Sequence, residues 1–232
     1  MEFKEFFERY ESLAEKVEEA FSRVSKSHPE LVMCKPECTD CCNALFDLTL
    51  VEAMYLKQHF DLQFFGEERE AVLEIANKAD RQVYKLKKEA FTATQEGKDE
   101  EAIIKEMAEK RIRCPLLNEK DLCSLYAHRP LACRIYGVPL AIGGTGRTCG
   151  LSGFKKGNKY PTVNMDIIHD QLLTISSDLA RGINSKHAGL SEMLVPVSMA
   201  LLTDYSEEYL GVPVEKEDQN PETTQGITDD NK

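Results

Sequence analysis

The sequence contains no tryptophan, no long apolar run and relatively little positive charge. Its 40 acidic residues outnumber the 29 lysines and arginines, which gives a formal net charge of −11 at pH 7. Proteins that bind nucleic acid need a basic face for the phosphates, so this balance argues against a nucleic-acid partner. The longest apolar stretch, around 194–202, is too short to span a bilayer, and we expect no membrane-spanning segment.

The amino terminus also lacks the pattern of a secretion signal. It is charged from Glu2 onward, with no apolar core region and no cleavage motif. We therefore expect a cytoplasmic protein. Disulfides are rare in that reducing compartment, so the eight cysteines need another explanation. Clustered cysteines in such a protein are more often metal ligands or catalytic groups.

Helical patterns cover most of the chain outside its cysteine-rich parts. A helix begins after Thr49, which forms a capping-box pattern with Glu52 three residues later. No alternation of strands and helices is present, so we predict a mostly α fold. In this fold a helical bundle holds an irregular, cysteine-rich, metal-binding segment between its helices. The other predicted helices cover residues 3–27, about 67–94, 99–112, 164–184 and 191–208, where Pro196 either kinks the last helix or marks a later start.

Composition divides the chain into four parts. These are an N-terminal amphipathic helix (1–30), a cysteine-cluster domain (31–160), a C-terminal helical part of the same domain (161–211) and an acidic tail (212–232). The tail is polar enough to predict disorder. Apolar residues of the first helix recur about every 3.5 positions, which suits packing on its own domain or a homodimer through residues 3–27.

The cysteines fall into two groups with different spacing. The first has the pattern C-x3-C-x2-C-C, and the second is spread over 36 residues of irregular sequence. Zinc sites and iron–sulfur clusters each take four thiolates as a rule, so eight thiols suit one centre with spare thiols or two centres. Cys149 lies in a glycine-rich loop, where a role as a small buried hydrophobe competes with a ligand role. The candidate ligands are Cys34, Cys38, Cys41, Cys42, Cys114, Cys123, Cys133 and Cys149.

A basic segment surrounds the second group of cysteines. Residues 111–160 contain nine lysines and arginines but only two acids, Glu119 and Asp121. Negative charge from a thiolate-bound cluster would balance this segment, and so would an anionic small molecule. Arg129 and Arg134 alternate with apolar residues beside Cys133, so we expect them close to the sulfurs, where they surround the cofactor-binding ligands without ligating the metal themselves. His128 is an alternative metal ligand.

These motifs together resemble a known family. After C-x3-C-x2-C-C come Arg113-Cys114-Pro115-Leu116-Leu117 and then Cys123-Ser-Leu-Tyr-Ala-His-Arg-Pro-Leu-Ala-Cys133-Arg-Ile-Tyr-Gly137. Over residues 31–150 the sequence is similar to the CxxCxxCC or YkgJ-like cysteine-cluster proteins, described as zinc- or iron-chelating, which include flagellin lysine N-methylase. The resemblance implies metal binding by Cys34, Cys38, Cys41, Cys42, Cys114, Cys123 and Cys133.

The sequence is compatible with three alternative functions. The first is a protein that binds a [4Fe–4S]-type iron–sulfur cluster. With this cluster it has a redox role or modifies a protein substrate or a small anion. The second is an interaction module held together by zinc, with no catalysis, since both metals accept four thiolates. The resemblance adds a third, an S-adenosylmethionine-dependent protein lysine N-methylase. Family resemblance, the Cys114-Pro115 pair and the basic segment favour iron. Whether the protein is an enzyme is not decided by these patterns.

Overall fold

The computed structural model describes residues 2–213, and helices dominate this part of the chain. The prediction of a mostly α fold is confirmed. The predicted acidic tail lies outside the described residues, apart from positions 212 and 213. The helices are α1 (Lys4–Ser27), α2 (Leu50–Gln63), α3 (Gly66–Gln95), α4 (Glu100–Glu109), α5 (Leu131–Ile135), α6 (Met165–Gly182) and α7 (Val197–Leu202).

Five short strands and two 3-10 helices, Tyr126–His128 and Leu190–Glu192, complete the secondary structure of residues 2–213. β1 pairs with β5 in an antiparallel ribbon, and β2 lies between β3, which is antiparallel to it, and β4, which is parallel. Gly143 and Gly144 connect β2 to β3 with φ of 54° and 73°, the left-handed pair that a two-residue hairpin turn requires. The strands are β1 (Asp47–Thr49), β2 (Leu140–Ile142), β3 (Thr145–Arg147), β4 (Val163–Asn164) and β5 (Leu194–Pro196).

Two apolar clusters form the core. The first joins α1, α2, α5 and α6 and contains Tyr10, Leu131 and Leu179. The second joins α2, α3 and α7 around Phe60, and the side chains of Cys114 and Cys123 pack against it. Burial of each such large side chain contributes about 1.5–3 kcal/mol. The helical core therefore extends directly to the cysteines.

The apolar face of α1 is buried inside the protein. Its residues at the predicted 3.5-residue spacing belong to the first core cluster, and α1 contacts α2, α5 and α6. The helix thus packs on its own domain, as one of the two interpretations of its pattern predicts. A homodimer through residues 3–27 stays a prediction. None of the helices within residues 2–213 is long and apolar enough to cross a membrane.

The predicted helix over 191–208 is wrong in most of its length. Only Val197–Leu202 is α-helical, while Leu194–Pro196 forms β5 and pairs with β1. Pro196 has no N–H and favours an extended residue before it, so the helix begins after it rather than passing through it. Because Pro196 pairs with Asp47, β5 places the start of α7 beside the start of β1, next to the cysteine-rich region.

Candidate metal centre

All eight cysteines line one cavity, although they come from distant parts of the chain. The cavity has a volume of about 950 Å³. Every cysteine is a free thiol; Cys34 is exposed and the other seven are partly buried. The structure therefore brings together every cysteine that the sequence singled out, including Cys149, the one for which a ligand role was least supported.

The loop after α1 carries the first group of thiols. Cys38 N–H donates to the Lys35 carbonyl at 3.0 Å, and Glu37 adopts a φ of 70°, so the chain turns tightly between Cys34 and Cys38. Cys34 Sγ lies 3.4 Å from the Tyr136 carbonyl oxygen. A Cβ on Gly137 would lie 2.2 Å from that sulfur, so only glycine leaves room for it.

A short antiparallel pairing joins the two groups of cysteines. Cys114 N–H donates to the Cys42 carbonyl at 2.7 Å, and Ile112 N–H donates to the Asn43 carbonyl at 3.0 Å. Ala44 and Arg111 continue this pairing as an isolated bridge. The second group is thus fixed against the first by main-chain hydrogen bonds, which do not depend on a metal.

A hairpin then returns the chain from Cys114 to Cys123. Leu117 and Cys123 form an antiparallel bridge, and Ser124 N–H donates to the Leu116 carbonyl at 2.8 Å. The Asn118 side chain accepts from two main-chain N–H groups within the turn, at 2.9 and 3.0 Å. The hairpin brings the thiols of Cys114 and Cys123 to the same wall of the cavity.

Helix α5 positions Cys133, and a buried carboxyl group holds the start of that helix. Glu52 Oε1 accepts from Leu131 N–H at 3.1 Å, while its Oε2 lies 3.4 Å from Thr49 N. The carboxyl is 4% exposed, and burial raises its pKa from 4.5 to about 7. The sequence indicated Glu52 only as a helix-capping residue, yet it also connects α2 to the turn that carries Cys133.

The Cys149 thiol is held at the cavity by a hydrogen bond to a carboxylate, Asp40, that the sequence patterns did not indicate. Its Sγ donates to Asp40 Oδ2 at 3.3 Å, and the Tyr136 hydroxyl donates to the same oxygen at 2.8 Å. Burial and the neighbouring Asp40 raise the pKa of Tyr136 above its ordinary value. The position of Asp40 between Cys38 and Cys41 was the available signal for a role in the site.

The two arginines expected near the sulfurs border the cavity and bind a glutamate of α1. Glu18 Oε1 accepts from Arg129 at 3.0 Å and from Arg134 at 2.5 Å. Arg134 also donates to the carbonyls of Arg129 and Ala127, and the Arg129 guanidinium lies 4.0 Å from the Tyr126 ring centre. These contacts attach the Cys123–Cys133 segment to α1. A direct role of the arginines toward a cofactor stays a prediction.

Burial and mutual proximity shift the pKa values of the thiols. Burial, with smaller contributions from Cys38 and Cys149, raises the pKa of Cys34 to about 11. Burial raises the pKa of Cys114 to about 12, and burial followed by Cys41, Cys114 and Cys123 raises that of Cys133.

The adjacent pair Cys41 and Cys42, with sulfurs 3.9 Å apart, behaves differently from the other thiols. Donation from Cys42 lowers the pKa of Cys41 to about 7. A bound cation would favour thiolates throughout this cavity, and protons would be released on metal binding.

The histidines lie away from the thiols. His128 does not line the cavity; its ring stacks on His59 at 3.5 Å, and its Nδ1 lies 3.0 Å from the Tyr55 hydroxyl. His169 is exposed on α6. Within residues 2–213, no three Cys, His, Asp or Glu side chains already converge at metal-ligand distances. The thiols thus share a cavity, and ligation of one ion by several of them requires rotation of their side chains.

Residues 33–150, which include all eight cysteines, match the CxxCxxCC family, described as a zinc- or iron-chelating domain. The chain belongs to this family. The match begins one residue before Cys34 and ends one residue after Cys149, so it encloses all eight cysteines, while the cavity wall also includes residues outside it such as Glu18 and Val197. No curated protein and no solved structure matches the chain. The CxxCxxCC assignment supports a metal-binding cysteine domain and leaves the metal open.

Proposed function

We propose that this CxxCxxCC protein binds an iron–sulfur cluster of the [4Fe–4S] type through four of its cavity thiols. The observation that carries the proposal is that eight thiols from distant parts of the chain line one cavity. The donor set fits the group, because thiolates are the protein ligands that hold such clusters.

The size of the cavity favours a cluster over a single zinc ion. A structural zinc site and a [4Fe–4S] cluster would each use four of the eight sulfurs, so the number of thiols does not separate them. A volume of about 950 Å³ accommodates a polynuclear group. Zinc bound by four of the same thiols, in a module without catalysis, is the alternative outcome.

The residues of the chain would hold the cluster and control its surroundings. Cys114 and Cys123 are fixed by the hairpin, and Cys133 is fixed by α5, while Leu116 and Ala79 supply apolar wall that limits water. Such a cluster supplies one-electron transfer, at a potential that burial and hydrogen bonds to sulfur adjust. A redox or protein-modifying role in the reducing cytoplasm is the function that we propose for this centre.

Anaerobic purification of the full chain, followed by analysis of iron, zinc and acid-labile sulfide, tests the proposal. We expect a brown protein whose iron and sulfide are present in equal amounts. A colourless protein with tightly bound zinc and no sulfide would overturn the iron–sulfur assignment and support the zinc module. Absence of any bound metal would overturn the metal function itself.

Matched variants at the cavity separate ligands from residues that only line it. Cys114→Ser should lose most of the iron and sulfide, because a hydroxyl is a poor ligand for iron in such clusters. Met33→Leu is the control, since Met33 also lines the cavity and carries a sulfur, but as a thioether. It should keep the metal content of the unsubstituted protein. Equal metal loss in both variants would contradict a specific ligand role for Cys114.

A further inference from the structure

The cavity that contains the thiols has one wall without metal-binding side chains. This α3–α7 wall consists of the cavity-lining residues of α3, β5 and α7, namely Ala79, Val83, Pro196, Val197 and Ser198. Zinc and iron–sulfur clusters in proteins are bound by thiolates, imidazoles and carboxylates. A metal centre held by the cysteines therefore accounts for only the thiol-bearing part of the cavity.

Packing between two helices fixes the α3–α7 wall. Ala79 and Val83 lie one helical turn apart, so both are on the same side of α3, and α7 packs against this helix. The Ser198 hydroxyl of α7 donates to Asp80 Oδ1 of α3 at 3.2 Å. Ala79, Val83 and Ser198 are buried, so the wall belongs to the packed helices rather than to a loop.

The cavity is large for a metal centre alone. Its volume of about 950 Å³ lies near the upper end of the range for sites that bind small organic molecules. Protein interiors contain few voids larger than a water molecule, and unfilled apolar space costs stability. Because the side chains of Ala79 and Ser198 are small, they leave room beside the thiols for a second occupant.

The chemistry of the α3–α7 wall determines which occupant fits. The wall contains no charged residue, and the Ser198 hydroxyl proton is already donated to Asp80. Phe46 and Leu116 continue the apolar lining towards Cys114, since all three pack in the second core cluster. An anion would find no cation on this wall, whereas an uncharged apolar molecule would fill it without burying an unpaired charge.

The entrance of the cavity has the same character. Met33, Leu122, Tyr126 and Leu151 line the cavity, and all four side chains are exposed to solvent. Several exposed apolar side chains at one cavity are typical of ligand-binding sites, because the bound molecule covers them. An apolar ligand thus meets apolar side chains both at the entrance and at the α3–α7 wall.

We propose that the α3–α7 wall binds an uncharged, largely apolar small organic molecule and holds it beside the metal centre. Binding requires only the wall and the entrance, so it does not depend on which metal the thiols hold. The assignment of this molecule as the substrate of a redox centre rests on the proposed function.

Equilibrium dialysis of the anaerobically purified full chain against two dyes tests the class of ligand. Nile red is uncharged and apolar, whereas anilinonaphthalene sulfonate is apolar with one negative charge. We expect saturable binding of one Nile red molecule per chain and weaker binding of the sulfonate. Absence of saturable Nile red binding, or tighter binding of the sulfonate, would overturn the proposal.

Variants that fill the cavity test the location of the site. Ala79→Phe fills it from α3 and Val197→Phe from α7, where the side chain is less buried and a larger one is more readily tolerated. Each should weaken Nile red binding by roughly tenfold or more, because overfilling a packed site is costly, and should keep the iron and sulfide. Ala71→Phe is the control, since Ala71 is exposed on α3 outside the cavity lining, and it should bind the dye normally.

Metal content and far-ultraviolet circular dichroism of the same variants separate the outcomes. Undiminished dye binding in the folded filling variants would place the dye elsewhere and overturn the proposal. Loss of iron and sulfide from a folded Val197→Phe protein would show that the metal centre itself occupies this wall, and would also overturn it. A protein with zinc or without metal that binds Nile red, and loses it in the filling variants, would contradict only the proposed function.

Discussion

The helical frame and the cysteine-bearing segments are built on different physical principles. The frame of α1, α2, α3, α6 and α7 is held by two clusters of fully buried apolar side chains. The segments 31–46 and 111–160 contain short strands, turns and a five-residue helix, and they turn partly exposed thiols toward a cavity. Hydrophobic burial stabilises the frame without a ligand, whereas ligand binding would contribute folding energy to the cysteine segments.

The two regions share apolar packing, since Leu131 and Leu125 of the cysteine-bearing segment belong to the two clusters, and they also meet at a few polar contacts. Glu52 joins α2 to the start of α5, and Glu18 joins α1 to Arg129 and Arg134. Each contact is a place where the frame fixes the thiols in advance of any metal. The cavity is therefore preformed in part, and the order of the remaining cysteine-bearing loops depends on what binds to them.

Removal of a frame side chain should give the largest loss of stability, independent of metal. Phe60 is fully buried and its ring lies 4.9 Å from that of Phe64, so Phe60→Ala should lower the free energy of unfolding by about 3–5 kcal/mol. Denaturant titration with and without a chelator measures this decrease in the free energy of unfolding. Phe65→Ala is the control, because Phe65 is 68% exposed and should change stability by less than about 0.5 kcal/mol. A Phe60→Ala effect that disappears in chelator would contradict an independent frame.

The second-largest expected effect is a dependence of the free energy of unfolding on pH, caused by the Glu52 carboxyl. Its pKa in the folded protein, about 7, is above the ordinary 4.5, so its contribution is present below pH 4.5 and lost as the pH rises through 7. Between these values the unsubstituted protein should lose roughly 3 kcal/mol relative to Glu52→Gln, which cannot ionise. Free energies of unfolding of both proteins from pH 4.5 to 8 measure the difference.

A matched control for this pH dependence is Glu68→Gln, on the exposed side of α3. Its difference from the unsubstituted protein should stay nearly constant over the same pH range. If the difference in free energy of unfolding between Glu52→Gln and the unsubstituted protein is also constant over this pH range, the buried carboxyl does not change its ionisation there. Its hydrogen bond to Leu131 is then made by a charged carboxylate at every pH tested.

The frame was more predictable from the sequence than the site. Regular apolar spacing gave α1 and α6 to within a few residues, because burial of one helix face imposes that period. The helix over 191–208 was wrong because Pro196 and the pairing of Leu194 with Thr49 outweigh its apolar pattern. A contact between residues so distant in sequence leaves no local periodicity to detect.

The sequence also predicted that the cysteines act together, but it did not predict how they are arranged in space. Spacing alone could not show that Cys149 reaches Asp40 or that Gly137 makes room for Cys34. Arg129 and Arg134 were expected beside the sulfurs, and their common partner Glu18 lies more than a hundred residues away. Such contacts depend on tertiary packing, which sequence patterns report only indirectly.

Gly137→Ala should affect the position of Cys34 more than the overall fold. At a φ of 101° an alanine is strained by about 1–3 kcal/mol, and its Cβ would displace Cys34 Sγ. Gly157→Ala is the matched control, since its φ of 92° carries similar strain but no atom lies within 4 Å of the added carbon. Both variants should lose similar stability, and only Gly137→Ala should bind less metal. Equal metal content in the two would contradict the close packing of Cys34 at this position.

Glu18→Gln should give the smallest effect, because the pair it forms with the arginines is partly exposed to solvent. The Glu18 side chain is 44% exposed, whereas Arg129 and Arg134 are 17% and 8% exposed, so water reaches the ion pairs mainly from the side of the carboxylate. Exposed ion pairs contribute about 0.2–1 kcal/mol, and we expect a loss near the upper end of that range. Loss of the carboxylate weakens the attachment of the Cys123–Cys133 segment to α1, so amide hydrogen exchange should quicken there and stay unchanged in α6. Glu19→Gln is the control, since Glu19 is exposed and pairs only with Arg23 of its own helix. Faster exchange in both variants would show that helix charge, rather than the contact with Arg129 and Arg134, governs this segment.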